Sequence, residues 1–217
     1  MVNRITVGEL ATNCWIVPIP QTGGTCILAD PGGDGDAIIA RLGKLLLRPA
    51  YIALTHAHFD HIAALPDIAA AYPDAKIAIH RAEASKLGPA SRELHRRDFA
   101  AAGASSYIDA FFASYADRGT EMPEASFLLD EGDALGPFRV LHLPGHSPGS
   151  IGLLWEEEKI LLSGDTMFRA GVGRTDLPGG DWGLLNASLE RLFKLEGDVR
   201  VYPGHGETTT IGRERTR

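Results

Sequence analysis

The sequence predicts an α/β protein built as a two-sheet sandwich with helices on its outer faces. Three observations lead there. Short apolar runs of strand character recur in both halves of the chain, as at residues 14–18 and 160–162. Runs of helical period separate them. Glycine-rich polar segments follow several strands directly, where a rigid sheet can hold loops in place.

Taken in order, strands are expected at residues 5–7, 14–18 and 26–29, meeting at turns such as Thr22-Gly23-Gly24. A helical pattern runs from Ala37 to Leu46, with Asp34 or Asp36 as its N-cap. A strand at 51–54 leads into a histidine-rich loop, residues 62–71 read as a helix ending near Tyr72-Pro73, and 76–79 as another strand. The second half repeats the alternation, with strands near 138–143, 150–155 and 159–163, a helix at 181–193 and a strand at 199–202. Residues 1–217 read as a single domain carrying a helical insertion near 88–124. Tyr107, Phe111, Phe112 and Tyr115 fall on one face of a helix there. That face suits packing on the domain, a flap over a site, or a homodimer contact.

Bulk properties exclude several functions. With 217 residues, 44% hydrophobic and 23% charged, the chain can bury a substantial core. A net charge of −7 argues against a nucleic-acid backbone as partner. Residues 1–10 lack the apolar core of a signal peptide, and no apolar run reaches the roughly 18 residues of a membrane span. Two cysteines, Cys14 and Cys26, are too few for a disulfide framework and read as buried, reduced thiols. The expected setting is cytoplasmic, with no membrane partner and a monomeric or homodimeric state.

The most informative stretch is Thr55-His56-Ala57-His58-Phe59-Asp60-His61. Only 8 of 217 residues are histidine, and three of them fall here. Imidazole is the commonest metal ligand among side chains, and a carboxylate adds a harder oxygen. His56 and His58, two apart, point the same way as the chain leaves a strand, while Asp60 and His61 follow where it must turn. One loop can therefore serve two neighbouring ions. His146 in Pro144-Gly145-His146, Asp165 in Gly164-Asp165-Thr166 and His205 in Gly204-His205-Gly206 stand in a matching setting, each after an apolar run and beside glycine.

With these residues in view, the chain resembles the metallo-β-lactamase superfamily of binuclear hydrolases. The likeness runs from Cys14-Trp15-Ile16-Val17 and Asp30-Pro31-Gly32 to Pro203-Gly204-His205-Gly206. It implies a four-layer αββα fold of two mixed sheets. It also implies that His56, His58 and His146 hold one ion, that Asp60, His61 and His205 hold the other, and that Asp165 bridges them. Gly164-Asp165-Thr166-Met167-Phe168 with the segment from Gly171 to Asp181 is similar to the glyoxalase II branch, especially its short bacterial members. A small-molecule thioester such as lactoylglutathione is then the implied substrate. Two divalent ions about 3.5–4 Å apart can share a water and make hydroxide available at neutral pH. Asp60 would orient that hydroxide, and zinc is the default metal, with iron or manganese suiting the same ligands. A persulfide dioxygenase, or a lactone or other ester hydrolase of the same superfamily, is the alternative.

The resemblance also places Arg174 where larger glyoxalase II enzymes hold glutathione with a basic residue. It departs from them after His205, where the chain reads Gly206-Glu207 and runs only twelve residues further, short of the extra helical domain that completes their glutathione site. An Arg174–Asp176 pair that stiffens the loop is the competing reading. No Gly-x-Ser-x-Gly nucleophile elbow occurs. His142 reads as structural, His80 and His95 as surface or satisfied polar residues, and Asp30 as either an outer partner of a ligand histidine or a turn residue.

Overall fold

Alternation along the strands sorts the apolar side chains into three buried layers, and these layers define the architecture. The computed structural model describes residues 1–101, 103, 105, 108–109 and 121–216. The first sheet has the order β1 (Asn3–Val7), β2 (Thr12–Pro18), β3 (Thr25–Ala29), β4 (Arg48–Leu54), β5 (Lys76–His80), β6 (Phe127–Leu129). Its first three strands pair antiparallel and β3 to β6 run parallel. The second sheet runs β14 (Thr209–Thr210), β13 (Arg200–Pro203), β10 (Ile160–Gly164), β9 (Ile151–Trp155), β8 (Phe138–His142), β7 (Ala134–Leu135). Only β10 and β13 are parallel neighbours in it, among the described residues.

In β2, Cys14 and Ile16 face outward to α1 (Gly35–Leu45) and α3 (Leu65–Ala71), while Trp15 and Val17 face the second sheet. In β3 the same split puts Cys26 and Leu28 outside and Ile27 and Ala29 inside. The second sheet mirrors this. Val140, Leu153 and Leu162 fill the space between sheets, and Leu141, Leu154 and Leu161 meet α5 (Trp182–Leu192) and α6 (Ile211–Arg215). The period of two thus yields helix, sheet, sheet, helix, the expected αββα order. Each fully buried leucine or isoleucine contributes about 1.5–3 kcal/mol. Both cysteines are buried and free, and burial pushes the Cys26 thiol up to about 12, so they behave as small apolar residues.

Several expectations change in detail. Asp34 does sit at the N-cap position of α1, but in a left-handed conformation, and its carboxylate accepts from the Gly8 N–H at 2.9 Å instead of capping the helix. The helix expected at 62–71 is two, α2 (Phe59–Ile62) and α3, with Pro66 in the first turn of the second. A fixed φ and a missing N–H suit proline to that place and not to a helix interior. By contrast Asp181 caps α5 as expected of such a residue, accepting from the Leu184 N–H at 2.9 Å, a contribution of about 1 kcal/mol. Within the expected insertion lies α4 (Ser91–Ala101). The aromatic face of Tyr107, Phe111, Phe112 and Tyr115 lies outside the described residues. Among the described residues no helix is long and apolar enough to cross a membrane.

Candidate metal centre

Four strand ends meet at one edge of the sandwich. The loop after β4 carries His56 and His58 and leads into α2, which carries Asp60 and His61; the loop after β8 carries His146; Asp165 follows β10, and His205 follows β13. All seven predicted residues come together there. Among the described residues three sets have ligand atoms within 4.8 Å of one another: His56, His58 and His146; His56, His61 and Asp165; and Asp60, His61 and His205.

The tautomers can be read from what holds each ring. His146 Nδ1 donates to the Arg174 carbonyl at 2.7 Å and His205 Nδ1 to the Leu10 carbonyl at 3.1 Å. Thr55 Oγ1 donates to Asp30 Oδ2 at 2.7 Å, which leaves it to accept from His56 Nδ1 at 3.1 Å. His61 Nδ1 lies 3.0 Å from the same Asp30 oxygen without the alignment of a hydrogen bond, so charge sets its proton there. Asp30 therefore takes the outer-partner role, through both His61 and Thr55. With Nδ1 as the outward donor in all four rings, four Nε2 atoms turn inward.

These nitrogens crowd. His56 and His146 Nε2 are 3.2 Å apart, His61 and His205 Nε2 3.3 Å. Asp60 Oδ2 is 3.2 Å from His205 Nε2 and 3.6 Å from His61 Nε2. Asp165 spans the sets, with Oδ1 3.4 Å from His61 Nε2 and Oδ2 3.6 Å from His146 Nε2 and 3.5 Å from His205 Nε2. Asp165 Oδ1 is buried and has no hydrogen-bond partner. Ligand atoms about 2.0–2.1 Å from a tetrahedral zinc ion lie roughly 3.3 Å apart. The spacing, the donor chemistry and the orphaned oxygen all fit divalent cations.

The charges agree. Burial, then the surrounding histidines, hold His56 well below its ordinary value, and burial with His146 brings His58 down to about 3. Both rings are thus neutral, as ligands must be. Burial works to raise Asp60 and Asp165, but His61 and its neighbours outweigh it and keep both carboxylates ionised. Burial likewise opposes protonation of His61, and Asp165, Asp60 and Asp30 overcome it. The side chains alone call for positive charge at this point.

Neighbouring atoms approach so closely that several positions around the centre admit only glycine. A Cβ on Gly204 would fall 2.1 Å from Asp165 Oδ1, and one on Gly173 1.9 Å from the Asp165 carbonyl oxygen. Helix α5 fixes the His146 loop, since the Asp181 N–H donates to the Gly145 carbonyl and Ser188 Oγ to that of Pro144, both at 2.8 Å.

The sequence reading missed Glu83. This buried carboxylate, in the 3-10 turn Arg81–Lys86 after β5, accepts from the Ala57 N–H at 2.5 Å, from the Gly149 N–H at 3.0 Å and from the Ser147 hydroxyl. It ties the His56–His58 loop to the His146 loop, and no local pattern announces it. His95 and His80, read as surface or satisfied residues, are buried and bonded. His95 nitrogens lie 2.7 Å from the Ser91 carbonyl oxygen and 2.8 Å from that of Ala57, and His80 stacks on His142 with centroids 4.1 Å apart. The Arg174 side chain is 61% exposed and its guanidinium is bidentate on Asp176, at 2.7 and 2.6 Å.

A fold of this order with such a centre defines the class, and comparison agrees: residues 7–205 match the model of the metallo-beta-lactamase superfamily, and the chain belongs to that family. It is 33% identical to the hydroxyacylglutathione hydrolase GloC of Haemophilus influenzae, over 97% of this chain and 93% of that protein. Among solved structures it is similar to BLEG-1, described as a B3 metallo-beta-lactamase, with a TM-score of 0.82 and 33% identity over 100% of this chain and 97% of the other. It is also similar to TTHA1623 in a di-iron-bound form, with a TM-score of 0.77 and 36% identity over 98% and 96% of the two chains.

Proposed function

We propose that this protein is a metal-dependent thioester hydrolase acting on an S-(2-hydroxyacyl) thiol such as lactoylglutathione. The convergence of four inward Nε2 atoms on two ionised carboxylates carries the reading. The GloC likeness over nearly the whole chain supports it. His56, His58 and His146 would hold one ion, Asp60, His61 and His205 the other, and Asp165 both. Two divalent ions so held would supply a water of lowered pKa and a Lewis acid for the acyl carbonyl.

The remaining work falls to the protein. Asp60, steadied by the Thr12 hydroxyl at 3.2 Å, orients the attacking water and takes its proton. The acyl–sulfur bond breaks, an acyl–oxygen bond forms, and the proton ends on the departing sulfur. A thiolate whose thiol has a pKa of about 8.5 leaves without a dedicated acid. Arg174 would receive an acidic carrier through Nη1 beside Asp176, or by exchanging Asp176 for it.

The nitrogen-rich donor set suits zinc, and the di-iron form of TTHA1623 makes iron the chief competitor. Elemental analysis of protein purified without added metal, paired with thiol release from lactoylglutathione, tests both parts. Two ions per chain and thiol release are expected. One ion per chain that added metal does not change would remove the second site. Oxygen uptake with glutathione persulfide, without thiol release, would make the protein an oxidoreductase. Faster opening of a lactone or β-lactam would move the substrate class.

A further inference from the structure

A cavity of about 250 Å³ opens beside His58, between the histidine loop and α4. Ala57, Ala82, Phe99, Pro148, Leu177 and Pro178 give it largely apolar walls. Its polar side chains are already engaged. Glu83 receives the Ala57 and Gly149 N–H groups and the Ser147 hydroxyl. His95 sits between two carbonyl oxygens, and Lys86 pairs with Asp98. Asp98 also lies 3.7 Å from the Arg97 guanidinium, so each charged side chain of the described lining already has a partner.

We propose that this cavity is the acyl subsite and that it takes uncharged, apolar acyl groups larger than lactoyl, up to the size of an aryl or branched chain. The proposal rests on the thioester reading and extends it to the substrate class. A cavity of about 150 Å³ suffices for benzene, so the methyl of a lactoyl group would leave most of this one empty. Glutathione is the poorer tenant, because its charged groups would lie against apolar walls with no unengaged donor among the described lining residues. The acyl carbon chain therefore points past His58 into the cavity, and the carrier thiol lies toward solvent.

Two measurements separate this inference from the reading beneath it. The first is kcat/KM of the metal-loaded protein for glutathione thioesters of lactate, mandelate and succinate. One methylene in an apolar pocket is worth about 10–200-fold, so mandeloyl should exceed lactoyl by about 10-fold or more, with succinyl the poorest. Ala82→Trp at the exposed rim, or Leu177→Trp on the opposite wall, should cut the mandeloyl-to-lactoyl ratio by about 10-fold. The second is ligand-observed NMR with mandelamide, an uncharged probe that needs no turnover. Binding to the parent protein and loss in either Trp variant are expected. Thioester cleavage without acyl-size preference and without mandelamide binding would overturn the acyl subsite. Mandelamide binding without cleavage of any thioester would sink the thioester reading and leave an apolar ligand subsite in place.

Discussion

The two sheets supply the same centre by opposite routes. The first delivers His56, His58, Asp60 and His61 from one six-residue segment after β4 that runs into α2. The second delivers His146, Asp165 and His205 singly, from the ends of β8, β10 and β13. In the first region geometry is local, set by one loop and by Asp30 beneath it. In the second it depends on strand register and on bare backbone at Gly173 and Gly204. A dense local motif tolerates distortion of the fold better than it tolerates the loss of a residue. A dispersed one has the reverse weakness.

The largest expected break is in the local region. Asp60→Asn, measured with both ions bound, should turn over a thioester about 10²–10⁴-fold more slowly, because an amide cannot take the proton. Full rate at full occupancy would leave Asp60 as a ligand only. Next come the outer supports. Glu83→Ala joins neither region's motif yet holds one to the other, and it should lower metal affinity in chelator competition by about 10–100-fold. Asp30→Asn should weaken only the set that includes His61. Equal losses in both variants at both sites would erase the distinction drawn between the regions.

Smaller effects sharpen the dispersed region. Gly204→Ala should cost about 1–3 kcal/mol in urea unfolding, because the added methyl meets Asp165 Oδ1. Gly43→Ala, inside α1 with nothing within 4 Å, should instead stabilise by about 0.5–1 kcal/mol. The smallest effect sits where the sheets touch, at His80 on β5 and His142 on β8. Burial, then His142, lowers the His80 pKa, against weaker pulls from Asp130 and Glu83, with Arg81 adding to the depression. A histidine lowered on folding stabilises fully above its unfolded value of about 6.5, and that stability is lost as pH falls toward the folded value. The unfolding temperature should drop between about pH 6.5 and 5, and His80→Asn, which can still accept the Ala82 N–H, should flatten the drop.

Legibility followed the same divide. The histidine loop announces itself because its chemistry is concentrated. His146, Asp165 and His205 are readable because each sits beside glycine after an apolar run, and strands such as β2 and β3 because each carries a short unbroken apolar run. What escaped the sequence is what depends on distant partners. Glu83 meets residues 26 and 64 positions away, and the His95 ring reaches a carbonyl 38 positions earlier. The break between α2 and α3 hid because Ala63 and Ala64 are as buried and apolar as a continuous helix would have them.

His205 shows what such distance means in time. Its ring donates to the Leu10 carbonyl, 195 positions away, while Asn13 and Trp15 donate to the Pro203 carbonyl. Contacts of that separation form late, since loop closure must precede them. On a ribosome adding about 5–20 residues per second, His56, His58, Asp60 and His61 emerge several seconds before the last histidine. Nascent chains should therefore capture a first ion before the centre can accommodate its second, so assembly of the pair is ordered by synthesis itself.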